Sequence, residues 1–281
     1  INVQAPARCL LPTGELLLIC LQAHERGSTS MLLFRSRNYG QSFIFDNAIW
    51  ERSNGQWLQG GNSHLLCLSS GRLLLAFHGG TGDQWSQHNV IRCFYSDDEG
   101  KSWTLGPATI DLPMRGAMEA SVAELSDGAL YMTIRTQLGS EFLTYSDDRG
   151  ENWSLPQATL RAPESSSCLR RIPGTDNLVL FWNDSLYDPS HHHYGLRTPL
   201  SAAVSKDRGK SWRKIGDIDG GDTMLTNLGC TFTSDGTALV TYLHINDPEV
   251  QDGKFIGRTG QGWHAGHTGL KCAIIERDWF T

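Results

Sequence analysis

Apolar residues in this chain fall in short runs of about four to seven, each closed by a small polar turn. One arrangement recurs five times: an apolar run, a turn carrying Gly or Asn, and a second apolar run. The copies are residues 7–21 about Thr13-Gly14, 63–78 about Ser70-Gly71, 121–135 about Asp127-Gly128, 168–182 about Asn177, and 229–243 about Asp235-Gly236. Each predicts a β-hairpin, because these turn residues accept the left-handed backbone of a tight turn. No apolar period of 3.6 residues is sustained, so the chain reads as all-β.

A second pattern runs out of phase with the first. Ser96-Asp97-Asp98-Glu99-Gly100-Lys101-Ser102-Trp103 returns as Ser146-Asp147-Asp148-Arg149-Gly150-Glu151-Asn152-Trp153 and as Ser205-Lys206-Asp207-Arg208-Gly209-Lys210-Ser211-Trp212. A diverged copy runs from Ser36 through Asn38 and Gly40 to Phe43. The Asp side chain suits bonding to backbone amides downstream of it, the Gly a positive φ, and the Trp a large buried face. A spacing of about 50 to 60 residues marks a repeat architecture.

Combining the patterns gives units of hairpin, third strand, Asp turn and fourth strand. Four antiparallel strands repeated in series are the blades of a β-propeller. The expected blades are 1–50, 51–112, 113–161, 162–219 and 220–281, in one domain. The last lacks a fourth strand, and Ile1 enters directly on a first strand. This predicts one further blade before Ile1 in the natural protein.

The 30 Gly and 9 Trp fit a β protein rich in tight turns, and a net charge of -6 argues against a nucleic-acid groove. No run is long enough to cross a membrane as a helix. The seven cysteines stand singly in strand-like runs, which reads as buried small hydrophobes and not as a metal site. The pattern implies no cofactor.

In a four-stranded meander, the Asp turns share one face, where they are read as structural. The starts of first strands and ends of second strands share the other. There sit Asn62, Glu119 and Asn227 at first-strand starts, and His78, Arg135 and Asn183 at second-strand ends. Arg197 precedes a third strand, and Tyr187, His191, His192, His193 and Tyr194 lie in the long loop before it. Other long loops hold Trp85 and His88, and Trp263, His264 and His267. An ionisable residue at an apolar strand end is costly unless paired or solvated, which singles out Glu119 and Arg135. A structural ion pair between them is the other reading. His193, close to Arg197 in sequence, is a candidate acid, base or substrate contact.

These residues resemble the sialidase superfamily. The Ser-x-Asp-x-Gly-x-Ser-Trp turns are similar to its Asp-boxes, or BNR repeats. Residues 118–139, MEASVAELSDGALYMTIRTQLG, resemble the segment carrying the catalytic Glu and one Arg of the carboxylate-binding triad. Leu196-Arg197-Thr198-Pro199 resembles the segment carrying another. The resemblance, nearest to bacterial BNR-type proteins, implies a propeller hydrolase that removes sialic acid from acidic glycans. Arg135 and Arg197 would clamp the carboxylate, and Glu119 would be the base that activates a Tyr nucleophile. The family's Tyr is expected where Thr226-Asn227-Leu228 stands, and an amide is no phenol. The resemblance places the remaining triad Arg and the acid Asp in a blade before Ile1; within this sequence Tyr187, Tyr194 and Tyr242 are the candidates to replace the nucleophile, and Asp184 and Glu25 to replace the acid. A propeller hydrolase or lyase for a uronic acid, and a non-catalytic glycan-binding propeller, are the alternatives.

Overall fold

The computed structural model describes residues 2–25, 28–51, 57–80, 88–191, 193–246, 250–252, 254–255 and 268–281. Of these, the side chains of 2–5, 25, 60–64 and 254–255 fall outside the described set. Five antiparallel sheets follow one another along the chain in the blade order of a propeller. The first is β1 (Asn2–Leu10), β2 (Leu16–Glu25), β3 (Ser28–Ser36) and β4 (Ile44–Trp50). The second is β5 (Trp57–Cys67), β6 (Leu73–Gly80), β7 (Val90–Ser96) and β8 (Thr104–Leu105). The third is β9 (Met118–Glu124), β10 (Leu130–Arg135), β11 (Ser140–Ser146) and β12 (Gln157–Arg161). The fourth is β13 (Cys168–Arg171), β14 (Leu178–Asn183), β15 (Leu200–Ser205) and β16 (Arg213–Asp219). The fifth has three strands, β17 (Thr223–Phe232), β18 (Ala238–Asn246) and β21 (Thr268–Ile275), with a separate pair β19 (Val250–Gln251) and β20 (Lys254–Phe255). A 3-10 turn, Arg277–Phe280, follows β21. Among the described residues, no helix is long and apolar enough to cross a membrane.

Burial explains why the apolar runs are so legible. The inner strands β14 and β15 are buried at every position, so both faces must be apolar or internally bonded. The fourth strands β12 and β16 are half-exposed and carry no such run.

The chain divides into two compact units, residues 1–130 with 144–155, and 131–143 with 156–281. The first has a core of Leu17, Ile19, Leu33, Leu73, Leu75 and Phe77 with their neighbours, where Phe77 stacks on Phe94 at 4.7 Å. The core of the second is built on Val179, Phe181, Ala202, Leu225 and Val240, and Phe280 packs edge-on against Phe181 and Phe232. Of the seven free cysteines, Cys9, Cys93, Cys168 and Cys230 are buried, Cys20 and Cys67 are half-buried, and Cys272 is exposed. Burial pushes the Cys93 thiol up to about 12, as expected of a thiol used for packing.

The four Asp-type turns share one construction. Ser96 Oγ donates to Asp98 Oδ1 (2.7 Å) and accepts from the Gly100 N–H (2.8 Å), while Asp98 Oδ1 also accepts from the Ser102 N–H (2.9 Å). The same bonds recur at Ser146, Asp148 and Asn152, and at Ser205, Asp207 and Ser211. Asn38 takes the carboxylate's place in the first turn. Each Gly is preceded by a second positive-φ residue, namely Tyr39, Glu99, Arg149 and Arg208, which the sequence did not reveal. The Trp indole closes its own turn: Trp103 Nε1 donates to Gly100 O at 3.1 Å. The glycine also permits close approach, since a Cβ on Gly209 would lie 2.3 Å from the Leu143 side chain.

Hydrogen bonds from the Ser102 hydroxyl and then its N–H hold the Asp98 carboxyl at about 2, and the same Ser211 groups hold Asp207 at about 2. A folded-state value below the unfolded one, about 3.9, stabilises the fold above that pH and is lost as pH falls through the folded value. Unfolding midpoints in urea are therefore expected to be flat above about pH 5 and to drop between about pH 4 and 2. Asp98→Asn with Asp207→Asn is expected to shrink that drop, since the Asn38 turn already works without a charge. An unchanged drop would locate acid sensitivity elsewhere.

Candidate functional site

In the second unit the path to the candidate site begins with a segment that is neither strand nor helix. Residues 162–167, Ala-Pro-Glu-Ser-Ser-Ser, are all buried. A buried irregular segment must find partners for its polar groups. The Glu164 N–H donates to His193 O (2.8 Å), and the Ser165 hydroxyl donates to Asn183 Oδ1 (2.6 Å). Ser167 Oγ donates to the buried Glu141 carboxylate at 3.0 Å.

This segment is where the two predicted arginines meet. Arg135 ends β10, and its Nη2 lies 3.3 Å from Glu164 Oε1. Arg197 Nη2 donates to the backbone carbonyl of the same Glu164 at 2.9 Å. Arg197 Nη1 donates to Thr226 Oγ1 on β17 at 3.1 Å. The Arg197 backbone is fixed as well, its carbonyl accepting from the Leu225 N–H (2.8 Å) and from Asn183 Nδ2 (3.0 Å). Arg197 is buried, the Arg135 side chain is 13% exposed, and that of Glu164 is 2% exposed. Two guanidinium groups thus converge on one residue, Arg135 on its carboxylate and Arg197 on its backbone carbonyl, where burial strengthens charge interactions.

Sequence reasoning missed Glu164. Its only signal was a Pro-Glu-Ser-Ser-Ser run where the other units start an apolar strand.

The remaining second-unit candidates fall into place around this core. Thr226 is buried and Asn227 exposed, because β17 carries a bulge between Thr226 and Gly229 that puts Asn227 at φ 55°. Asn tolerates that conformation better than most residues. The His193 backbone carbonyl accepts from the Glu164 N–H, and its ring centroid lies 6.0 Å from that of buried His191. Tyr187 and Tyr194 stack on each other at 5.9 Å, with Tyr187 over Gly139. Tyr242 donates to Asp219 Oδ2 at 2.9 Å, and burial first, then that bond, pushes its phenol well above the usual range. Asp184 is held by Arg161 (2.6 Å) and Lys214 (2.8 Å). Burial alone would raise its carboxyl, but these cations outweigh that and keep it below the usual range, which does not suit a proton donor at neutral pH. Among the described residues, no group of three or more His, Cys, Asp or Glu is placed to hold a metal ion.

Glu119 belongs to the first unit. It sits near the start of β9, half-buried between buried Met118 and Ala120, at φ 33°. Such a backbone is strained for Glu and persists only where its surroundings impose it. Here the Glu119 N–H donates to Nδ1 of buried His78 at 3.2 Å, which leaves the His78 proton on Nε2. His88, in the same unit, bonds Met114 O (2.8 Å) and Asp111 (2.6 Å), and those contacts raise its pKa. Asn62 lies on β5, and its side chain is outside the described residues, as is that of Glu25. Trp85, His192, Trp263, His264 and His267 also lie outside them.

Residues 2–251 match the BNR repeat-like domain family. No curated protein matches the chain. Among solved structures, a Hadza microbial sialidase, Hz136, aligns at a TM-score of 0.65 and 21% identity over 86% of this chain and 50% of its own. The NanB sialidase of Streptococcus pneumoniae aligns at 0.65 and 18% identity, over 90% of this chain and 36% of its own. A Dyadobacter fermentans protein of unknown function aligns at 0.70 and 15% identity, over 98% and 77%. At these identities the likeness is one of fold, and the chain spans only half or less of the two sialidases.

Proposed function

We propose, on the premise that this chain belongs to the BNR repeat-like domain family and has a sialidase-like propeller fold, that it recognises a terminal acidic sugar of a glycan and hydrolyses its glycosidic bond. The observation that carries this reading is the meeting of Arg135 and Arg197 at Glu164. Guanidinium forks match a carboxylate in shape and charge, and prior fixation of both spares the entropy of ordering them on binding. Sialic acid is the proposed sugar.

In this proposal Arg135 and Arg197 orient the substrate carboxylate. Glu119 is the proposed base, and its imposed backbone suits a group that must hold one direction. Asn62, Asn227 and His193 are proposed to contact the remainder of the sugar.

Asn227 favours a second reading. It stands at the β17 bulge where a phenol would be needed, and Tyr242 is bonded to Asp219 with its ionisation suppressed. An amide cannot attack an anomeric carbon as a phenolate does. On this second reading the chain binds the acidic sugar without cleaving it.

One experiment separates the two. The protein is incubated with a fluorogenic sialoside and, in parallel, titrated with N-acetylneuraminate. Turnover that disappears in Glu119→Gln supports hydrolysis. Binding without turnover supports the second reading, and neither binding nor turnover of any carboxylated sugar removes both.

A further inference from the structure

We propose that the first unit holds a binding site for a small aromatic carboxylate, in a cavity between its first and second sheets whose residues take no part in the acidic-sugar site. The cavity measures about 130 Å³, and its lining includes Trp50 of β4, Leu58 of β5, Phe77 of β6, Val90 and Arg92 of β7, and Leu105 of β8. An apolar cavity of about 150 Å³ takes one benzene ring. The aromatic walls are held in place: Phe77 stacks on Phe94 at 4.7 Å, and Trp50 tilts against the same ring at 6.0 Å.

Arg92 gives this apolar cavity its chemistry. It stands between Val90 and Phe94 on one face of β7, opposite Phe77 in the register, and is half-buried. Among the described residues lining the cavity, it alone is charged. Its Nη2 donates to Gly106 O at 3.3 Å, its Nε is buried without an acceptor, and among the described residues it forms no ion pair. The buried arginines of the same unit are treated differently. Arg35 holds Glu15 and Asp46, and Arg72 holds Asp97 and Glu151. A guanidinium in partly apolar surroundings is costly unless an anion meets it. Trp50 Nε1, in the same wall, is likewise buried without an acceptor. The wall thus has spare donors and one uncompensated positive charge. A planar ring ending in a carboxylate matches both features, with its ring against Trp50 and Phe77 and its oxygens toward the Arg92 Nη groups.

The test is calorimetric titration of the whole chain at neutral pH with benzoate and with benzyl alcohol, which has the same ring and no charge. Wild-type protein is expected to bind benzoate at least about tenfold more tightly than benzyl alcohol. Arg92→Met keeps an apolar stem and removes the guanidinium, and is expected to erase that preference. Val90→Phe fills the cavity with a ring of its own and is expected to abolish binding of both compounds. Arg197→Lys is expected to bind benzoate as the wild type does, because the carboxylate is not held by the acidic-sugar arginines. Wild-type protein that binds no benzoate, or binds it no better than benzyl alcohol, overturns the proposal, and that result needs no variant to fold. A folded Arg92→Met with unchanged preference, or a folded Arg197→Lys that loses benzoate, places the carboxylate elsewhere and overturns it too. None of these outcomes depends on whether the protein binds neuraminate, so the acidic-sugar reading stands or falls separately.

Discussion

Gly116→Ala is expected to destabilise the protein by roughly 3–5 kcal/mol, a fall in Tm of about 5–9 °C. Gly116 sits at φ 83°, and a Cβ there would lie 1.9 Å from the carbonyl oxygen of buried Asn89. That oxygen accepts from the Ala117 N–H (3.0 Å), and the Asn89 N–H donates to Arg115 O (2.8 Å). Backbone cannot yield by such a distance without breaking these buried bonds, and each orphaned group costs about 1–3 kcal/mol. A left-handed backbone adds about 1 kcal/mol for alanine. Gly71 and Gly128 provide the control. They have φ of 86° and 85°, and an added Cβ would meet nothing within 4 Å, so Gly71→Ala and Gly128→Ala are expected to show the backbone cost alone. Equal melting shifts in all three variants would mean that crowding at Asn89 is not what fixes Gly116. Because Glu119 follows three residues later, Gly116→Ala is also expected to lower any Glu119-dependent turnover beyond what unfolding explains.

Arg197→Lys is the second large effect. Lysine keeps the positive charge but cannot span Glu164 O and Thr226 Oγ1 from one planar group. One or both acceptors lose their donor in a buried place, which costs about 2–3 kcal/mol of stability. If Arg197 also orients a substrate carboxylate, neuraminate affinity is expected to fall about a hundredfold, as for loss of a charge-assisted fork. Thr226→Val separates the contributions. It removes one Arg197 contact and leaves the guanidinium in place, so it is expected to cost about 1 kcal/mol with a much smaller loss of affinity. Wild-type affinity in a folded Arg197→Lys protein would exclude Arg197 from the binding site.

The local chemistry of this chain spelled out its blades. Hairpins form where apolar runs flank Gly or Asn, because a residue's tolerance of φ is a property of the residue itself. The Asp turns were readable for the same reason: Ser96, Asp98, Gly100 and Ser102 satisfy one another within a few positions. Arg135 could be singled out as a charge at the end of an apolar run, where burial demands a partner, and Arg197 by the likeness of its segment to a sialidase one. Which partner was decided only by tertiary structure. Glu164 lies 29 residues from Arg135 and 33 from Arg197, and its segment looks like a solvated loop until His193, Asn183 and Arg197 close on it. The bulge that buries Thr226 and turns Asn227 outward, and the pairing of Asp184 with Arg161 and Lys214, were equally invisible. Sequence carries what a residue prefers within its own turn or strand. The worth of a buried charge depends on groups brought from elsewhere, and only the folded chain supplies them.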